Sequence, residues 1–144
     1  MRLTKFSDYA LRVLIYLGVR GELTTIAQVA AAYGISENHL TKVVHFLSQH
    51  GYVETVRGKG GGLRLAKSPA AIRVGAVVRA TEAHLSLVEC FDPERSTCKI
   101  SSACGLKSVF ARAANAFYAE LDQHTLADLL EPRARLRRLV LTGS

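Results

Sequence analysis

Apolar residues recur at three- and four-residue spacings along most of this chain. Phe6, Ala10, Val13, Leu14 and Leu17 lay one stripe along a first helix, which Thr4 can cap and Gly18 or Gly21 can end. Thr25-Ile-Ala-Gln28 has capping-box form and opens a short second helix, with Ile26, Val29, Ala30 and Tyr33 on its inner side and Gly34 at its stop. Ser36 then caps a third helix reaching about Gln49, with Gly51 past its end. Leu40, Val43, Val44 and Leu47 point inward there, while Asn38, Thr41, Lys42 and His45 share the opposite side. Two helices joined by a tight glycine turn make a helix-turn-helix pattern, a weak signal alone because any helical hairpin imitates it.

The period changes after Gly51. Tyr52–Val56 predicts a strand, Arg57-Gly-Lys59-Gly-Gly-Gly62 a flexible turn, and Leu63-Arg64-Leu65 a returning strand. A helix-turn-helix followed by a basic hairpin is the winged-helix arrangement, with a recognition helix in the major groove and a wing along phosphates or in the minor groove. The glycine run is no nucleotide-binding loop: Lys59 is followed by glycine, and the flanks read as hairpin rather than strand and helix.

Beyond Pro69, a fourth helix over Val74–Glu82 buries Val74, Val77 and Val78. Leu85–Val88 predicts a short extended stretch. A last long helix begins at Ser102 or a neighbour and runs to about His124, with Leu106, Phe110, Ala113 and Phe117 forming a narrow seam. The winged-helix half already closes on itself, so homodimerisation across this seam is the economical expectation, and packing back onto the same chain the alternative. Thr125–Asp128 caps a short helix ended by Pro132, and the basic run Arg133–Arg138 either frays into solvent or touches DNA. The expected fold is mainly α with a small β wing. Its parts are a winged-helix DNA-binding domain (1–83), a linking loop (84–105), a dimerisation helix with a short C-terminal helix (106–130), and a basic tail (131–144).

Charge sharpens this reading. The chain carries a net +7, and the excess is concentrated in residues 1–83, with 11 Lys and Arg against 5 Asp and Glu. That imbalance points to a polyanion, most simply nucleic acid, and the winged-helix arrangement makes it double-stranded DNA. Asn38, Thr41, Lys42 and His45 are the candidate contacts of the third helix, and Arg57, Lys59 and Arg64 those of the wing. No apolar run approaches the roughly 18 residues of a membrane span, and the start lacks a signal-peptide pattern, so the expected location is cytoplasmic, with no membrane partner.

All three cysteines, Cys90, Cys98 and Cys104, fall within fifteen residues. Thiolates are the preferred ligands of zinc and of iron–sulfur clusters. Clustering of every cysteine makes a metal or cluster centre a better reading than a free thiol with a chance disulfide. Three ligands are one short of the usual four. Asp8 sits on the first helix, where its ordinary role is to complement the helix dipole.

Four segments carry a resemblance over nearly the whole chain: Leu3-Thr-Lys-Phe-Ser-Asp8-Tyr-Ala-Leu-Arg12, Gly58-Lys-Gly-Gly-Gly-Leu-Arg-Leu65, Leu85-Ser-Leu-Val-Glu-Cys90 and Glu120-Leu-Asp-Gln-His-Thr-Leu-Ala-Asp-Leu129. They resemble the iron–sulfur winged-helix repressors of bacteria, and among these the nitric-oxide-sensitive branch. The resemblance implies a cluster on Cys90, Cys98 and Cys104, [4Fe–4S] in preference to [2Fe–2S], with Asp8 of the other subunit as fourth ligand. A carboxylate is a harder ligand than thiolate and leaves its iron comparatively labile, open to a small diatomic molecule. The resemblance also implies a homodimer on a palindromic operator, nitric oxide as signal, and derepression of nitrosative-stress and detoxification genes. Arg12, one turn beyond Asp8, is placed to pair with it when no cluster is bound. Without iron, the 90–104 loop is expected to be mobile or tied by a disulfide.

Other readings remain. Related regulators of cluster assembly carry a histidine three residues after the third cysteine, where this chain has Lys107. A thiol- or zinc-dependent regulator shares the same fold. An enzyme or electron carrier fits poorly, because the cysteine spacing departs from ferredoxins and the five histidines are scattered without an acid–base constellation.

Overall fold

Helix α1 (Lys5–Arg20) is the hub of the fold. The computed structural model describes residues 2–83 and 86–142. Thr4 starts α1 by accepting the Ser7 amide on its hydroxyl. Ala10, Val13, Leu14, Tyr16, Leu17 and Val19 are all buried, more than the single stripe of the sequence pattern. The reason is that α3 (Glu37–Gln49), α4 (Val74–Thr81), α6 (Leu126–Leu129), α7 (Arg133–Leu141) and the second wing strand all pack around this helix. Each Val or Leu among them, withdrawn from water, contributes about 1.5–3 kcal/mol.

The capping box of Thr25 and Gln28 starts α2 (Ile26–Tyr33). Gly34 ends it at φ 65°, a left-handed turn that aims the chain back for Ser36 to cap α3 (Glu37–Gln49). Leu40, Val43, Val44 and Leu47 form the buried face of α3. Two edge-on aromatic contacts fix it to α1: Phe6 with Phe46 at 5.3 Å and Tyr9 with His39 at 4.7 Å between centroids.

The wing pairs β1 (Val53–Val56) with β2 (Gly62–Leu65) in antiparallel register, Glu54 opposite Arg64 and Val56 opposite Gly62. Thr24 adds a one-residue bridge to Leu63, hydrogen-bonded both ways at 3.0 and 2.7 Å. Gly61 is required in the turn because a Cβ there would collide with the Val56 carbonyl oxygen.

Helix α4 (Val74–Thr81) carries α5 (Gly105–Asp122), which has α4 as its principal neighbour. Arg79 grips the Asp122 carboxylate with both nitrogens, at 2.6 and 2.7 Å, and lies 4.8 Å over the Tyr118 ring. Arg73 donates to the Asp122 carbonyl at 2.8 Å. A side chain at Gly75 would strike the same carboxylate, so α4 is bare where α5 ends. Thr125 and Asp128 form a capping box on α6 (Leu126–Leu129), and Leu130 then packs against Gly18 of α1.

Three expectations change. The long helix begins at Gly105 rather than near Ser102, because residues 99–103 stay in turns. Residues 133–141 neither fray nor hang free: they form α7 (Arg133–Leu141), held because Leu136, Val140 and Leu141 pack on the core. Gly18 ends no helix and lies buried inside α1. Of the extended stretch expected at 85–88, Leu85 lies outside the described residues, and Ser86–Val88 lead into a short 3-10 turn at Glu89–Phe91. Among the described residues no helix is long and apolar enough to cross a membrane.

Candidate cysteine centre and nucleic-acid interface

The cysteine loop hangs between α4 and α5. Cys90 sits in the 3-10 turn, Cys98 in the following loop, and Cys104 at the N-cap of α5. All three are free thiols and half-buried. Local bonds shape the loop: Ser96 N–H donates to the Asp92 carbonyl at 2.9 Å and Cys98 N–H to Ser96 Oγ at 3.3 Å. Cys104 shares an open hollow with Phe91, Ser101, Ser102, Lys107 and Ser108. It caps α5 without a side-chain bond, and no acid occupies the first turn. That helix end therefore presents positive potential to an anionic centre.

As a donor set, three half-buried thiols, one of them at a positive helix end, fit an iron–sulfur cluster. As a geometry, the set is incomplete: among the described residues no three His, Cys, Asp or Glu side chains are gathered to hold a metal ion.

Asp8 is engaged where the sequence suggested. Arg12 Nη2 lies 2.9 Å from its Oδ2, and Arg12 Nε donates to Oδ1 at 3.2 Å, with both side chains more than 40% exposed. The Arg12 guanidinium also lies 5.9 Å from the Tyr9 ring centre and 5.7 Å from that of Tyr33. Burial pushes the Tyr33 phenol up to about 12, despite the lowering effect of Arg12, so it remains a neutral donor to the Arg12 carbonyl at 3.1 Å. Tyr9 in turn touches His39 on α3. Asp8 is thus one short chain of contacts from the helix that would read DNA.

Glu82 is a structural joint that the sequence pattern did not reveal. It is 7% exposed and ties the end of α4 to the start of α1, accepting the Thr4 amide at 2.8 Å, the Thr4 hydroxyl at 2.9 Å and the Ser7 hydroxyl. Burial raises its carboxyl pKa, but the bonds from Ser7 and Thr4 outweigh burial and hold it below the usual glutamate value. Beside it, a cleft of about 380 Å³ is lined by Leu3, Leu87, Phe91, Phe117 and Tyr118, so the loop, α5 and the start of the chain meet there. Only a carboxylate ending an apolar stripe could have signalled Glu82, and that is a common surface pattern.

Asn38, Thr41, Lys42 and His45 are all exposed on α3. The Thr41 hydroxyl donates back to the Glu37 carbonyl at 2.8 Å, so it must turn to reach a base. On the wing, Arg57 and Lys59 are exposed and unpaired among the described residues. Arg64 differs: its guanidinium is bound by Glu54 directly across the hairpin.

Comparison with known proteins agrees with this architecture. The pattern of the Rrf2 family, described as iron-dependent transcriptional regulators, matches residues 3–132. The chain is 52% identical to the HTH-type transcriptional regulator NsrR of Geobacillus kaustophilus over 142 residues, 97% of each chain. It is 49% identical to the regulator of the same name from Bacillus subtilis, again over 97% of each. Among solved structures it is similar to T. potens IscR, with a TM-score of 0.73 and 25% identity, covering 92% of this chain and 88% of that one. CymR, the global cysteine regulator of B. subtilis, gives 0.71 and 27%, covering 90% and 95%.

Proposed function

This chain belongs to the Rrf2 family of iron-dependent transcriptional regulators, and from that premise we propose that it is a cytoplasmic homodimeric repressor that leaves its operator when nitric oxide attacks an iron–sulfur cluster on Cys90, Cys98 and Cys104. Its family is one of regulators rather than enzymes. The observation that carries the reading is the place of the cysteines. Every thiol of the chain lies in the one segment joining α4, which packs on α1, to α5, which rests on α4 with no residue buried.

The proposed parts follow that division. Residues 1–83 hold DNA through Asn38, Thr41, Lys42 and His45 in the major groove, and through Arg57 and Lys59 on the backbone. Residues 84–105 form the sensing loop. Residues 106–130 supply the dimer contact, since Leu106 and Val109 stand 56% and 48% exposed beside half-buried Phe110. The cluster, [4Fe–4S] in preference to [2Fe–2S], supplies an iron that a diatomic ligand can reach.

Asp8 of the partner subunit would complete the site. In the single chain its carboxylate is held by Arg12 at the surface, so engaging a partner's loop requires the Asp8–Arg12 pair to open. Tyr9 and His39 link that exchange to α3. A change in how two such units are joined moves two recognition helices that must dock about 10–11 bp apart. Losing one half-site removes the effective concentration that the other provides.

The direct test is anaerobic reconstitution of the full chain and of Cys90→Ser, Cys98→Ser, Cys104→Ser and Asp8→Ala variants, with iron and sulfide measured per dimer. The cysteine variants should fail to hold the visible absorption of thiolate-bound iron, and Asp8→Ala should hold it less stably or respond differently to nitric oxide. A colourless wild-type protein that binds zinc in equal amount would replace the cluster with a zinc site.

A further inference from the structure

Helix α7 belongs to none of these parts, and it begins at Arg133, one residue beyond the segment matched by the family pattern. Leu136, Val140 and Leu141 seat it on the core, where it lies against both α1 and α2. Arg133 adds an anchor, donating from Nη2 to the Val19 carbonyl at 3.4 Å at the end of α1. The remaining cations are thereby carried to the flank of the helix-turn-helix. Arg135, Arg137 and Arg138 are all exposed, and none forms an ion pair among the described residues.

We propose that α7 is a second phosphate-binding surface, which grips the DNA backbone beside the helix-turn-helix through Arg135, Arg137 and Arg138; this rests on the DNA-binding reading above. In helix-turn-helix docking the first helix of the motif crosses the backbone while the second enters the groove. Here α2 is that first helix, and α7 packs against it. Arg135 and Arg138 stand three residues apart and so share one face. Guanidinium groups suit phosphate oxygens because they donate in a planar fork. Leu139 is the one large apolar side chain of α7 in the open, at 62% exposure. The outward face therefore lacks the apolar stripe that a membrane-surface helix buries in lipid, and a duplex is the better partner. A two-fold dimer carries two such helices, one flanking each half-site.

The test uses the full-length dimer and measures affinity against salt, on duplexes with and without a selected operator. Substituting Arg135, Arg137 and Arg138 by Gln leaves Arg133 and the core-packed Leu136, Val140 and Leu141 in place. The slope of log affinity against log salt should fall by about 0.9 for each phosphate no longer neutralised, hence by about 1.8 for each phosphate-bound arginine removed from both subunits. The weakening should be similar on operator and unrelated duplex, because phosphates carry no sequence. Replacing the same three by Lys should restore most of the slope, which a merely structural role would not predict. An unchanged slope in the Gln variant, or a weakening that Lys does not restore, overturns the proposal. So does a Gln variant that binds DNA like wild type yet no longer binds anionic vesicles. A wild-type protein that binds no duplex at all would instead overturn the DNA-binding reading on which this one stands.

Discussion

Replacing Glu82 with alanine should cost far more than an average glutamate substitution, because its carboxylate is the joint between α4 and the start of α1. Three donors converge on it: the Thr4 amide, the Thr4 hydroxyl and the Ser7 hydroxyl. Removing the acceptor strands them. The site is only part-buried at Thr4, so water recovers some of the loss. Taking one or two donors as truly unsatisfied, at about 1–3 kcal/mol each, gives a destabilisation of about 2–4 kcal/mol. A surface substitution would stay within about 0.5 kcal/mol. For a chain of this size the predicted fall in Tm is roughly 6–15 °C. Glu82→Gln keeps an acceptor but surrenders the charge, and should lose only about 1 kcal/mol. The pH dependence has a definite sign. Glu82 is held below the usual glutamate value in the folded chain, so its stabilisation is complete above that usual value and disappears as pH falls through the depressed one. Urea denaturation followed by circular dichroism at pH 7 and again in acid checks both points. The stability gap between wild type and Glu82→Gln should be full at pH 7 and close in acid. An alanine variant within about 0.5 kcal/mol of wild type at pH 7, or a glutamine gap that widens in acid, would refute the reasoning.

Further expectations concern α5 and the wing. Leu106→Glu with Val109→Glu should leave the winged-helix half folded, since neither residue is buried in the single chain. Placing two carboxylates among the exposed apolar residues of α5, one on the seam at Leu106 and one beside it at Val109, should weaken the dimer by about 100-fold or more, read by analytical ultracentrifugation, and an unaltered dimer would place the interface elsewhere. Arg57→Gln and Lys59→Gln should each lower the salt slope of DNA binding by about 0.9 per phosphate, whereas Arg64→Gln should change it little because Glu54 already holds that side chain. Equal effects from all three would show that the Glu54 pair opens on DNA. Gly61→Ala should splay the hairpin against the Val56 carbonyl and weaken operator binding with little change in the melting of the helical core, and wild-type affinity would show the wing turn to be dispensable.

What the sequence made legible was local chemistry. Thr4, Thr25, Ser36 and Thr125 cap the helices they were expected to cap, because a cap needs only its own next three residues. The inner faces of α3 and α4 followed from spacing for the same reason. Features joining distant segments were not legible. Nothing near Glu82 in the chain announces Thr4 and Ser7, and Arg79 gives no hint of Asp122. The Glu54 partner of Arg64 was equally hidden, because a cross-strand pair depends on hairpin register. In α7 four arginines masked the spacing of Leu136, Val140 and Leu141, so a packed helix read as a tail. The cysteines were legible as a cluster in sequence but not as a closed site, since among the described residues no three possible metal ligands are gathered together.

The central claim is that the state of the cysteine centre sets DNA affinity. One measurement reaches it directly: operator binding by the anaerobically reconstituted dimer, before and after stoichiometric nitric oxide, at fixed salt. The account predicts tight binding by the reconstituted protein and a severe loss once nitric oxide has acted, while the protein remains folded. Equal affinity before and after, with the cluster demonstrably consumed, would contradict it.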